Sequence, residues 1–143
     1  MNNSFIFHLA IPINDIDTAK KFYHQGLGCQ IGRENPSAII FKFYGHQLVA
    51  HMTKEELSVQ KGVYPRHFGL VFPSKTAWDE MITQAQTHQL TFYQQPRLRF
   101  PGKITEHWTC FLQDPFFNLL EFKYYSHSVA IFDKVEVSSI GDR

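Results

Sequence analysis

Apolar residues along this chain recur at two periods, an alternating one suited to strands and a 3.6-residue one suited to helices, and the two follow each other in the same order twice. Phe5 to Pro12 is an apolar run of strand length closed by Pro12, with Ile6, His8 and Ala10 on one face. Asn14 or Asp15 can cap a helix of about three turns in which Ile16, Ala19, Phe22 and Tyr23 recur at helical spacing. Gly26 and Gly28 end it. Strands are predicted for Cys29 to Glu34, Ala38 to Tyr44 and His46 to Met52, broken by Asn35-Pro36-Ser37 and by Gly45. The polar stretch 54–65 reads as a linker with one short helical turn.

The first pattern then returns. His8-Leu9-Ala10, with Asp15 seven positions after the histidine, is matched by His67-Phe68-Gly69 with Ser74 seven positions after His67. In both, a small residue follows two places after the histidine, on its own face of the strand. The second helix carries Ala77, Trp78, Met81, Ile82 and Ala85 and fades at Thr87-His88. Strands are predicted for Leu90 to Gln94, with an extension toward Arg99, for Thr105 to Gln113 and for Asn118 to Tyr125. An internal repeat decides architecture more strongly than local propensity does. The expectation is an α+β fold of tandem βαβββ modules whose curved mixed sheet encloses a metal or ligand pocket. Module one is 4–53, the linker 54–65 and module two 66–126, a single domain over 1–126, with 127–143 as a C-terminal tail.

Candidate chemistry starts at Glu121, an acid between Leu120 and Phe122 in the last strand. Its charge must be compensated if it is buried, and a bound cation is one compensator that also gives it a task. The two strand histidines, His8 and His67, can share that cation. Composition narrows the partners. The 143 residues are 43% hydrophobic, enough for a real core, and a net charge of +1 gives no reason to expect nucleic acid or an anionic membrane. Two cysteines make no disulfide framework, no charged-then-apolar leader opens the chain and no apolar run approaches a membrane span, so a cytoplasmic, reducing location is expected.

The paired βαβββ halves, the histidine in the first strand of each and the Asp114-Pro115-x-x-Asn118-x-x-Glu121 entry into the last strand together resemble the vicinal oxygen chelate superfamily, which groups glyoxalases, bleomycin-resistance proteins, fosfomycin-resistance thiol transferases and extradiol dioxygenases. The resemblance covers roughly residues 5 to 125. It implies metal ligands at His8, His67 and Glu121, a set suited to Fe(II) or Mn(II), with Zn or Ni possible. Glyoxalase members add a fourth protein ligand; overlaying Gly45 to Val49 on Phe117 to Glu121 puts Val49 there, which cannot bind metal. An overlay shifted by two would bring in Gln47 or His51, as a ligand or as a donor behind one. The expected activity is therefore dioxygenase-like: a catecholic or other vicinal-oxygen substrate chelates the metal and reacts with O2, with His51 or Tyr93 handling protons. The alternatives are a glyoxalase-like isomerase or thiol transferase, and a metal-free small-molecule binder. A homodimer is expected from the short chain and the apolar tail segment Val129-Ala130-Ile131-Phe132.

Other residues stay open between roles. His107 is either an acid or base behind the ligands or a surface residue, and His24, His46, His88 and His127 are expected in solvated positions. Arg97 and Arg99 fall between Pro96 and Pro101 and are expected on a projecting loop, facing an acidic substrate or only solvent. Where the family places a glycine before the last strand this chain has Phe117, so either the turn differs or Phe117 is strained.

Overall fold

The computed structural model describes residues 4–134, 140 and 141. Two four-stranded mixed sheets carry the fold. Strands β1 (His8–Ile13), β2 (Gln30–Asn35), β3 (Ala38–Phe43) and β4 (His46–Met52) form the first, in the order β1-β4-β3-β2. Strands β5 (Phe68–Val71), β6 (Phe92–Arg99), β7 (His107–Gln113) and β8 (Leu119–Tyr125) repeat that order as β5-β8-β7-β6. In each sheet the first strand runs parallel to the last and the remaining pairs are antiparallel.

Each half sets one helix on one face of its sheet. The first, α1 (Ile16–Ala19), starts at Asp15, whose carboxylate accepts from the Thr18 amide at 2.8 Å and the Thr18 hydroxyl at 2.6 Å. It continues as a π-helical stretch over Lys20–Gly26, a wider winding that hydrophobic spacing does not announce. The second, α2 (Lys75–Thr87), is capped by Ser74 and buries Trp78, Met81, Ile82 and Ala85, the stripe its periodicity predicts. The linker has no helical turn, contrary to expectation; residues 53 to 67 are irregular throughout.

The core lies on the helix side of both sheets and is shared by both halves, with Ile11, Ile13, Phe41 and Leu48 from the first and Trp78, Leu112, Leu120 and Phe122 from the second. Aromatic contacts such as Phe43–Phe68 and Tyr44–Phe122 join the halves. Alternation therefore sends His8, Ala10 and Pro12 of β1, and Glu121 and Lys123 of β8, to the opposite faces. Behind the last strand, Asp114 is 2% exposed. It accepts from the Tyr23 hydroxyl, from the amides of Phe116 and Asn118 and from the Asn118 side chain, pinning the turn to the first helix.

Arg97 and Arg99 are not on a loop. They lie in β6, which runs through Pro96 because β6 is an edge strand and that position needs no amide donor to a further strand. Of the tail, Ser128–Ala130 forms one 3-10 turn, and Val129 and Phe132 are exposed; residues 135–139, 142 and 143 of the expected tail, and 1–3 of the expected domain, lie outside the described residues.

Candidate functional site

Parallel pairing of β5 with β8 puts Gly69 opposite Glu121 and brings His67, two residues earlier, beside it. His67 Nε2 stands 3.2 Å from Glu121 Oε1. The other ring nitrogen, Nδ1, donates to the Val63 carbonyl at 2.7 Å, so the irregular linker sets the orientation of the ring. Val63 also packs with Phe111 and Leu119 in a small apolar cluster on this face. Two donors each about 2.1 Å from one octahedral ion and at right angles stand about 3 Å apart, so His67 and Glu121 fit adjacent positions on a single divalent metal.

Glu121 has further partners. The Thr109 hydroxyl donates to Oε2 at 2.6 Å, and Lys123 Nζ lies 3.7 Å from Oε1. Burial works to raise the carboxyl, but the His67 hydrogen bond, the Lys123 charge and the Thr109 hydroxyl outweigh it and hold it below its usual value. The hydrogen bond to Glu121 in turn raises His67. Burial alone would lower the Lys123 ammonium; the charge of Glu121 and a 3.0 Å hydrogen bond to the Tyr125 hydroxyl leave it raised. The chain thus supplies its own compensation for the acid, and a bound cation is not required by burial alone.

His8 is on the other sheet. Its exposed ring is held by Gln47, directly opposite across β1 and β4, through a 2.7 Å contact between Nδ1 and Oε1, which leaves Nε2 to face a ligand. Gln47 therefore positions His8. Among the described residues, no three His, Cys, Asp or Glu side chains of one chain come close enough to hold a metal together.

The register settles the overlay of the halves. Ala10 pairs with Val49 as Gly69 pairs with Glu121, so Val49 is the repeat equivalent of Glu121, with no donor to offer. His51 pairs with Pro12, four residues along from the His8 and Gln47 pair, about 13 Å away at 3.3 Å per residue. Tyr93 is 38% exposed at the bulge between Phe92 and Gln94, on β6, two strands from Glu121. His107 is buried on the Glu121 side of β7, with Nδ1 donating to the Thr105 carbonyl at 2.9 Å; burial lowers its imidazole. His24 and His46 are not simply solvated, since each ties a ring nitrogen to backbone, at Cys29 and Phe7. Sequence reasoning missed Thr109, Lys123 and Val63. Lys123 was legible by alternation from Glu121; the other two needed the strand pairing and the path of the linker.

The sequence model of the Glyoxalase/Bleomycin resistance protein/Dioxygenase superfamily matches residues 5–122. Among solved structures, a glyoxalase/bleomycin resistance protein/dioxygenase from Alicyclobacillus acidocaldarius is 42% identical, with a TM-score of 0.85 over 92% of this chain and 98% of that one. The fosfomycin resistance protein FosX from Listeria monocytogenes is 16% identical, with a TM-score of 0.66 over 90% and 98% of the two chains. A lactoylglutathione lyase from Agrobacterium tumefaciens is 20% identical, with a TM-score of 0.63 over 87% and 95%. The last two share the fold alone. Curated proteins gave no match. No helix of the described residues is long and apolar enough to cross a membrane.

Proposed function

Since this chain belongs to the Glyoxalase/Bleomycin resistance protein/Dioxygenase superfamily, we propose that it is a metal-dependent, dioxygenase-like enzyme acting on a small aromatic or vicinal-oxygen substrate. The observation that carries the reading is the His67 and Glu121 pair, with Nε2 and Oε1 3.2 Å apart and the far ring nitrogen anchored on Val63. His8 is the third ligand. The ion is Fe(II) or Mn(II), which two imidazoles and one carboxylate suit, with Zn or Ni as weaker candidates. When bound, it supplies a Lewis acid on which two adjacent substrate oxygens can chelate. Val49 in place of a fourth donor favours this set over a glyoxalase-like lyase.

The chain's own groups have the following tasks. Val63 and Gln47 orient the two imidazoles, Thr109 holds the far oxygen of Glu121, and Lys123 adds positive charge beside the substrate position. His51 and Tyr93 are the proton-handling candidates; His107 shares the Glu121 face but stands four residues along β7 from Phe111, the partner of Glu121, about 13 Å away.

His8 and the His67–Glu121 pair sit on separate sheets, which supports a homodimer in which each site draws His8 from the second copy. Phe5, Ile6 and Phe7, exposed ahead of the edge strand β1, suit such a contact. Mixing His8→Ala chains with Glu121→Ala chains tests this. A shared site regains bound metal in the mixed dimer, which then has one intact His8, His67 and Glu121 set; a site built within one chain regains none.

One observation favours a second reading. Lys123 and His67 already balance Glu121, as a metal-free small-molecule binder would require. Metal content separates the two.

A further inference from the structure

We infer that the molecule bound beside His67 and Glu121 is a small organic anion, with its carboxylate or phosphonate group held by Arg97 and Lys123. This rests on the site proposed above and names the class of molecule it takes. Arg97 of β6 lies directly opposite Thr109 of β7, and Thr109 directly opposite Lys123 of β8. Residues paired in this way project from the same face of the sheet. Two contacts identify the face: the Thr109 hydroxyl bonds Glu121 Oε2 at 2.6 Å, and Lys123 Nζ is 3.7 Å from Oε1.

A row of Arg97, Thr109 and Lys123 therefore crosses three strands one pleat, about 7 Å, from the row that holds Phe111 and Glu121. Arg99, paired with His107, stands in the next row on the same face. The Arg97 and Glu121 rows set two cations, Arg97 and Lys123, against one carboxylate. Lys123 is only 21% exposed, so its place has a desolvation cost that a solvated surface lysine escapes. The bond of Arg97 to the Gln94 side chain is long, at 3.4 Å, and an oxyanion can replace it. The guanidinium fork matches carboxylate and phosphonate oxygens in pairs. A molecule the size of one aromatic ring spans the pleat, with its paired oxygens at Glu121 and its anionic group at Arg97 and Lys123.

Titration calorimetry on the purified chain with benzoate, phenylphosphonate and the neutral benzyl alcohol tests the inference without metal. At least one of the anions should bind, and the better one identifies the headgroup; benzyl alcohol should bind about tenfold more weakly or worse. Arg97→Gln should erase most of that difference and Arg97→Lys restore part of it, with the melting temperature unchanged because the side chain is exposed. Equal binding of the neutral and anionic probes, absence of binding by both anions, or an unchanged preference in Arg97→Gln overturns the inference. On metal-loaded protein, 3,4-dihydroxybenzoate should in addition outbind catechol. If the chain takes up no metal but benzoate binding depends on Arg97, the anion site stands and only the metal reading falls.

Discussion

Gly69 faces Glu121 across the β5–β8 pair so closely that a β-carbon at Gly69 would collide with the Glu121 carbonyl. The repeat-equivalent pair, Ala10 and Val49, accommodates a β-carbon. Gly69→Ala should therefore push β8 away and cost about 1–3 kcal/mol or more in urea unfolding. Ala10→Gly should cost no more than about 1 kcal/mol. Because the backbone that moves carries Glu121, Gly69→Ala should also lose bound metal.

The turn before β8 depends on a buried acid. Asp114 takes hydrogen bonds from Tyr23, Phe116 and Asn118, and burial raises its carboxyl against their opposing effect. Tyr23→Phe removes one donor from a buried carboxylate and should cost about 1.5–3 kcal/mol. Asp114→Ala strands all the donors and should cost more than Tyr23→Phe in the same chemical denaturation series.

Phe117 adopts φ +67°, and Gly45, at the matching place in the first half, φ +89°. A side chain in that region is strained by about 1–2 kcal/mol. Both truncations lose the ring, so comparing them isolates the backbone: Phe117→Gly should be more stable than Phe117→Ala by about 1 kcal/mol, the reverse of an ordinary strand position. Equal stabilities would argue against strain at the turn.

His107 sets a pH dependence. Burial holds its folded imidazole below the usual value of about 6.5, against a smaller opposing hydrogen bond to Thr105. A depressed folded value contributes stability above the unfolded value and loses it as pH falls through the folded one. His67, raised by Glu121, has the opposite sign: its contribution is present below about 6.5 and lost as pH rises. Urea midpoints of wild type minus His107→Gln should therefore fall between about pH 7.5 and 5.5. A flat difference would remove the burial argument.

The two halves, their helices and the place of Glu121 were legible because each rests on local period and on a repeat that counts the same in both copies. Counting alone overlaid Val49 on Glu121, and the pairing of Ala10 with Val49 and of Gly69 with Glu121 gives the same overlay. What escaped depends on where strands meet. Arg97 looked like a loop residue because Pro96 stops most strands, but β6 is an edge. Thr109 and the Val63 carbonyl reach the site only through register and linker path, and the π-helical winding after Ala19 has the same apolar spacing as an ordinary helix.

The central claim is a metal held by His67 and Glu121 with His8. Its most direct test is metal content by mass spectrometry on protein purified without chelators or an affinity tag, for wild type and Glu121→Ala. About one Fe or Mn per chain in wild type, lost in the variant, is the expected result. Wild type without metal, and taking up none on titration with Fe(II), Mn(II), Zn(II) or Ni(II), would contradict it and leave the His67–Glu121–Lys123 cluster as part of a metal-free binding site.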